Sequence, residues 1–203
     1  MKSVLISTRP KLVEKICHKI GEDETGKAIY EKRIEVRNTA PQEVPFKCYI
    51  YETKGQYVKF THGAHTKYGY GRGKVIGEFI CDKVERLEEH IEQGGLYYIL
   101  SDTFNEQAQL DNWELHDYGK GKTLYGWYIS DLKIYDKPKE LNEFNAVCKY
   151  INADKSCNFR KVMCPYQQFD YNKDGSINIV ECSRVITRPP QSWQYIEDLG
   201  EEE

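Results

Sequence analysis

The sequence has no apolar run near the roughly 20 residues that a membrane-crossing helix needs. Its first residues, Met1-Lys2-Ser3-Val4-Leu5-Ile6-Ser7, hold too short an apolar stretch for a secretory signal. A cytoplasmic protein without a membrane partner is therefore expected. There is no Cys-x-x-Cys pair, the usual half of a structural zinc site. Nor is there a phosphate-binding loop. Gly71-Arg72-Gly73-Lys74 is too short for one and leads into a strand pattern, not a helix. Positive charge is not in surplus either: 29 Lys and Arg stand against 32 Asp and Glu, a net charge of −3, which argues against a general nucleic-acid binder.

What is present is a chain of 203 residues, long enough for one domain with insertions or one domain with a small appendage. Hydrophobic residues at 39% and aromatic residues at 13% suffice for a packed core. The charge is unevenly spread. Residues 1–80 carry 15 Lys and Arg against 9 Asp and Glu, while residues 81–203 carry 14 against 23. A locally basic half suits a phosphate backbone even though the whole chain is acidic. Five acids fall in residues 197–203, which reads as a solvated acidic tail over 198–203. Cys17, Cys48 and Cys81 sit among apolar residues and read as small core residues, reduced in a cytoplasmic setting.

Lys2–Thr8 alternates as a strand, with Val4 and Ile6 on one side. Pro10 suits a first helical turn, and Leu12, Val13, Ile16 and Ile20 then recur at helical spacing up to Gly21. Residues 21–28 read as a polar loop. Phe46, Cys48 and Ile50 mark a further strand, and residues 74–85 a long and central one. Residues 55–73, rich in Gly and Tyr, read as a loop or ragged hairpin, with His62 and His65 as loop surface. Leu87 and Ile91 mark a short helix, and residues 102–118 another, with Leu110 and Trp113 on one face. Residues 124–135 form an aromatic strand ended by Pro138, and residues 184–197 a strand, a Pro-Pro turn and a closing strand. Strands with short helices tucked between them predict an α+β fold, a small mixed β-barrel.

The stretch Lys32-Arg33-Ile34-Glu35-Val36-Arg37 organises the rest. Ile34 and Val36 alternate with Arg33, Glu35 and Arg37, the period of a half-buried strand with one charged face. Such a face is either an edge protected from aggregation or the wall of a binding cleft. Trp127, Tyr128 and Trp193 are aromatic residues able to stack a splayed base; for Trp127, on an apolar strand, core packing is the plainer reading.

Taken in order, Ser7-Thr8-Arg9-Pro10-Lys11, a helix, Lys32-Arg33-Ile34-Glu35-Val36-Arg37, Gly73-Lys74-Val75-Ile76-Gly77-Glu78-Phe79, residues 124–132 and Arg188-Pro189-Pro190-Gln191-Ser192-Trp193 resemble the ASCH family of PUA-like domains. The likeness is strongest to prophage-type bacterial members, some with Cys-containing insertions. It covers residues 1–140 and 184–197. It implies a PUA-like barrel that binds RNA or a modified nucleotide in a cleft between the first helix and the charged strand. Arg9, Lys32, Glu35 and Arg37, with Tyr128 and Trp193, are the implied binding residues. Arg and Lys can hold a phosphate or base edge, and Glu can accept from an exocyclic amine. One bacterial relative of this family is an amidohydrolase of an N-acylated nucleoside. The resemblance carries its Lys onto Lys32, but Glu35 stands where it has Thr. Catalysis here would therefore use Glu35 as a general base and Lys32 as oxyanion stabiliser. A third possibility is a prophage factor that binds another protein through the charged cleft and the acidic tail.

Residues 141–183 read as a small Cys-containing insertion. Cys148, Cys157, Cys164 and Cys182 could form a closed zinc thiolate site, although 8, 6 and 17 residues separate them. In competition, Asp170, Asn172, Asp174, Ser176, Asn178 and Glu181 satisfy the EF-hand calcium pattern, with Gly175 at the turn. The flanks suit an EF-hand poorly, since Pro165 precedes the loop and β-branched residues follow it. An Asx-rich turn between two strands is the plain alternative.

Overall fold

The computed structural model describes residues 1–59, 67–92, 95–98, 102–148, 167–171, 173–174, 177–182 and 184–200. In chain order its elements begin with β1 (Lys2–Thr8), α1 (Pro10–Cys17), β2 (Lys19–Glu22), β3 (Ala28–Tyr30) and β4 (Ile34–Arg37). Next come β5 (Phe46–Glu52), β6 (Gly55–Lys59), β7 (Lys67–Gly71), β8 (Val75–Cys81), β9 (Val84–Leu87), β10 (Glu89–Glu92) and β11 (Gly95–Tyr98). The helices α2 (Asp102–Ala108) and α3 (Asn112–Gly119) lead to β12 (Leu124–Tyr128) and β13 (Ser130–Lys139). A 3₁₀ turn at Leu141–Glu143, β14 (Gln167–Tyr171), β15 (Ile177–Cys182) and β16 (Trp193–Ile196) complete them. No helix among the described residues is long and apolar enough to cross a membrane.

Five strands make a mixed sheet in the order β13-β8-β5-β1-β16. β1 and β5 run parallel, from Lys2 opposite Phe46 to Thr8 opposite Glu52. A parallel pair needs a long crossover, and α1 with β2, β3 and β4 supplies it. β4, β12 and β9 make a second sheet of three strands. The α+β class is as expected, but the described strands close no barrel: they fall into these two sheets and four hairpins.

Strand alternation sorts the core into three clusters. Val4, Ile6, Phe46, Cys48, Ile50 and Phe79 face Val13 and Ile16 of α1 and Trp127 of the second sheet. Leu5, Tyr49, Tyr51 and Val75, on the other face, pack on Phe144, Ala146, Ile186 and Ile196. Ile34, Val36, Leu87 and Leu124 pack on Phe104 and Ala108 of α2 and Leu115 of α3. With both faces of the five-stranded sheet covered, β1 and β5 are buried almost continuously.

Several boundaries depart from expectation, each for a physical reason. Residues 84–92 form β9 and β10, not a helix, because Leu124 to Trp127 pair in register with Leu87 to Val84. Ile20 lies in β2 and is exposed, so α1 stops at Cys17. The helix expected over 102–118 is two helices. Gln109 takes a positive φ of 54°, and Asp111 starts α3 with a capping box, accepting from the Glu114 amide while Glu114 accepts from its own. The break turns Leu115 inward and leaves Trp113 77% exposed. Ile129 separates β12 from β13, which runs on through Pro138, and Asp131, at φ 46°, lies where the pairing of β13 with β8 shifts register between Ser130 and Lys133. At the start of the stretch 141–183, Phe144 and Ala146 are buried in the second cluster with Leu141 packed against it, and the Ile186 amide donates to the Phe144 carbonyl. The C-terminal acids are not all free in solvent, since the Tyr49 hydroxyl donates to Asp198 at 2.7 Å.

Trp127 joins the sheets, its ring edge-to-face with Phe46 at 5.1 Å and 82°. Trp127→Ala should lower unfolding free energy by about 3–5 kcal/mol, measured by urea denaturation. A loss within the scatter of surface substitutions would show that the two sheets do not depend on this ring.

Candidate functional site

β4 forms because Ile34 and Val36 find an apolar bed in the third cluster and its backbone pairs with β12, Trp127 opposite Glu35 and Tyr125 opposite Arg37. The alternation aims Glu35 and Arg37 the other way, toward the five-stranded sheet. The charged face expected to border solvent is therefore covered: Lys32, Glu35 and Arg37 are 1%, 3% and 5% exposed. Buried ions persist when paired and hydrogen-bonded, and these are.

Arg37 is the hub. Its Nη2 lies 2.8 Å from Glu35 Oε1 and donates to Thr8 Oγ1 at 3.1 Å. Its Nη1 donates to the carbonyls of Ser7 at 3.0 Å and Ser192 at 3.4 Å. Lys32 Nζ donates to the carbonyls of Ala108 at 2.6 Å and Ile34 at 2.7 Å, and stands 3.5 Å from Glu35 Oε2. An ammonium has three donors, so two are committed to backbone and the third faces the carboxylate. Burial holds the Lys32 ammonium below the usual lysine range, with Glu35 offsetting part of that fall.

Three buried polar atoms on this face make no hydrogen bond within the protein: Glu35 Oε2, Arg37 Nε and, from the residue opposite Glu35, Trp127 Nε1. Buried polar atoms are nearly always satisfied; of these three, Glu35 Oε2 has Lys32 Nζ at 3.5 Å, while Arg37 Nε and Trp127 Nε1 have no acceptor. Tyr118 of α3, 38% exposed, lies within electrostatic reach of Arg37, Glu35 and Arg9, and burial raises its phenol pKa above the usual value. Arg9, exposed at the N-cap of α1, adds a cation at the mouth.

The expected residues thus divide. Lys32, Glu35 and Arg37 form one contiguous set, with Arg9 at its edge. Trp193 stands beside it, half-buried and edge-on to Trp127 at 5.8 Å, its Nε1 donating to Thr39 Oγ1 at 2.9 Å. Tyr128 does not join them. It packs on the third cluster, on the opposite face of β12, where its hydroxyl donates to Glu85 at 2.7 Å and Lys83 Nζ sits 4.2 Å over its ring. Tyr118 and Thr8 were missed. The Asp111-x-x-Glu114 capping signature placed a new helix start, and with it Leu115 and Tyr118 three apart on one helical face.

The metal candidates fall largely elsewhere. Cys148 is a half-buried free thiol, Cys157 and Cys164 lie outside the described residues, and of Cys182 only the backbone, in β15, is described. The calcium pattern is flanked by strands, with Asp170 of β14 opposite Asn178 of β15 and Glu181 opposite Gln168. Asp174 is exposed in the turn, and Asn172, Gly175 and Ser176 lie outside the described residues, as do His62, His65 and Pro165. Among the described residues no three His, Cys, Asp or Glu side chains gather as a metal site.

No family model and no curated protein matches the chain. Among solved structures it is similar to ASCH from Zymomonas mobilis, with 17% identity and a TM-score of 0.42 over 70% of this chain and 76% of that one. A tyrosine-to-phenylalanine mutant of the same protein gives 16% identity and a TM-score of 0.41 over 70% and 78%. A serine-to-alanine mutant gives 17% and 0.41 over 70% and 76%. No residue role is carried across from them.

Two outcomes follow from the geometry. Glu35→Ala leaves two cations buried without their counter-charge and should cost about 3–5 kcal/mol of stability, read by urea denaturation; a neutral result would mean solvent reaches the site freely. A lysine with a lowered native pKa binds fewer protons folded than unfolded above that pKa, so its contribution to stability rises with pH toward the unfolded value of about 10.4. The stability difference between the native chain and Lys32→Met should therefore shift in favour of the native chain as pH rises toward about 10. A pH-independent difference would contradict the lowered pKa.

Proposed function

We propose that this chain is an ASCH-like, PUA-like domain that binds RNA, or a modified nucleotide of it, in the cleft between the start of α1 and β4. The observation that carries the reading is Arg37 Nε, a buried donor with no hydrogen bond in the protein, on the strand face where Glu35 Oε2 meets Lys32 Nζ only at 3.5 Å. A base edge presents the complementary donor and acceptor. Arg9 supplies positive charge for phosphate, and Tyr118 and Trp193 supply aromatic walls. Lys32 serves as a fixed counter-charge to Glu35, not as a phosphate ligand, because its ammonium is directed at two carbonyls and Glu35.

A second reading has one observation in its favour. A lysine with a depressed pKa beside a carboxylate is the pairing that amide hydrolysis of an N-acylated nucleoside uses. Glu35 would take a proton from water as the water adds to the amide carbonyl and return it to the leaving amine as the C–N bond breaks. Lys32 is poorly placed as oxyanion donor, since two of its three hydrogens bond to the Ile34 and Ala108 carbonyls. Binding is the stronger reading for that reason.

Fluorescence anisotropy with single-stranded RNA tests it. Affinity should fall steeply as salt rises. Arg9→Ala and Tyr118→Ala, both at the exposed mouth, should each weaken binding by about tenfold without lowering the melting temperature. Full affinity in both variants would remove the cleft from RNA binding. Release of acetate from N-acetylcytidine, abolished by Glu35→Gln in a folded protein, would move the site to the hydrolytic reading.

A further inference from the structure

A groove of about 530 Å³ lies between α1 and the β6–β7 hairpin, within the range of about 300–1,000 Å³ that small-molecule sites occupy. It shares no lining residue with the cleft. Two glycines of β7 set how closely the hairpin approaches. A Cβ at Gly71 would lie 1.9 Å from the Thr53 carbonyl oxygen and 2.5 Å from Pro10 Cγ, so the strand rests on the start of α1. A Cβ at Gly69 would lie 2.3 Å from the Tyr57 ring, which takes that space and stands as one wall of the groove. Val13, Cys17 and Val58 continue the apolar lining. Burial pushes the Cys17 thiol up to about 11, so near neutral pH it is an uncharged part of that surface.

The charged lining balances. Lys11, Lys15 and Arg72 stand against Glu14, Glu31 and Glu52. Two of these are engaged outside the groove's centre: Lys15 Nζ donates to Gln109 Oε1 at 3.0 Å, and Glu31 Oε2 lies 2.8 Å from His18 Nδ1. Glu52 and Arg72 differ from them. Glu52, the last residue of β5, is 6% exposed. Its Oε2 accepts from the Arg72 amide at 2.9 Å and has Arg72 Nε at 3.6 Å, beyond hydrogen-bond length. Among the described residues its Oε1 accepts from no donor, and neither Nη of Arg72 donates to an acceptor. A buried carboxylate oxygen is nearly always satisfied; this one opens on the groove beside a guanidinium whose side chain is 60% exposed.

We propose that this groove binds a free α-amino acid with an apolar side chain, its ammonium on Glu52 and its carboxylate on Arg72. A free amino acid carries both charges on one carbon, and so meets a neighbouring acceptor and donor at once; a peptide separates them. Because the lining charges balance, a ligand of net charge gains little from the groove as a whole. Opposite charges side by side match Glu52 and Arg72 locally. The guanidinium can take a carboxylate through two parallel N–H bonds. The ligand side chain lies along Val13, Tyr57 and Val58, which removes apolar surface from water. This site and the RNA reading of the cleft stand or fall separately.

The test is an NMR titration of the isotope-labelled full-length chain with L-leucine. Leucine should shift the amides of Cys17 and Arg72 saturably. Three relatives each lack one feature: isoamylamine has no carboxylate, isocaproate no ammonium and glycine no side chain. Each should bind at least about tenfold more weakly than leucine. Arg72→Ala should weaken leucine binding by about tenfold without lowering the melting temperature. Glu52→Gln, which keeps an acceptor for the Arg72 amide, should weaken it as much; should that variant fail to fold, isocaproate makes the same comparison from the ligand's side. No shift at these amides in about 20 mM leucine overturns the proposal. Equal binding of isocaproate also overturns it, reducing the groove to an anion site. Largest shifts at Glu35 and Arg37 would place leucine in the cleft and overturn it as well.

Discussion

The contact on which the architecture turns is Arg37 with Glu35, held between the two sheets. Arg37 belongs to the three-stranded sheet, yet its guanidinium is bonded to the end of β1 and to Ser192, just before β16. One side chain thus fixes how the second sheet meets the first, next to the packing of Trp127 on Phe46. A guanidinium in such a place must be neutralised, which makes Glu35 obligatory, and a carboxylate facing two cations needs Lys32 held off at its own carbonyls. The charged set is therefore structural and chemical together. The arrangement leaves Arg37 Nε without a hydrogen bond in the protein, and Glu35 Oε2 with Lys32 Nζ at 3.5 Å.

Around this set the elements share few anchors. Thr8 accepts from Arg37 with its hydroxyl and, at the base of the β6–β7 hairpin, from the Thr53 amide with its carbonyl. Arg9 lies within electrostatic reach of Tyr118, and Pro10 lies under Gly71. Three consecutive residues thus link β4, α3 and the β6–β7 hairpin.

Much of this was legible in the sequence, and the limits were physical. β1, β5 and the closing strand announced themselves because alternation with an apolar face has one reading. Leu87 and Ile91 did not: residues four apart share a face in a helix and in a strand alike, and only strand pairing, of β9 with β12 and of β10 with β11, decided between them. The span 102–118 read as one helix because Leu110 and Trp113 fit helical spacing, while the Asp111 cap that breaks it is a local signal inside a longer pattern. The charged strand was found by its pattern. Its burial was not, because the covering groups come from Ser7, Thr8, Ala108 and Ser192, which the chain brings together only in three dimensions. Tyr128 shows the same limit in reverse, an aromatic residue of the right type whose strand parity points it away from Glu35.

β16 pairs with β1 along Ser3 to Ile6, and this has a consequence for the growing chain. On the ribosome β1 is made well before β16, so one edge of β1 stays open while the residues between them are added. During that interval Arg37 also lacks the Ser192 carbonyl, and Trp127 lacks Trp193. The packing between the sheets is therefore complete only when the sheet edge is sealed. A chain terminated before β16 would carry an unpaired apolar strand edge, a template for aggregation.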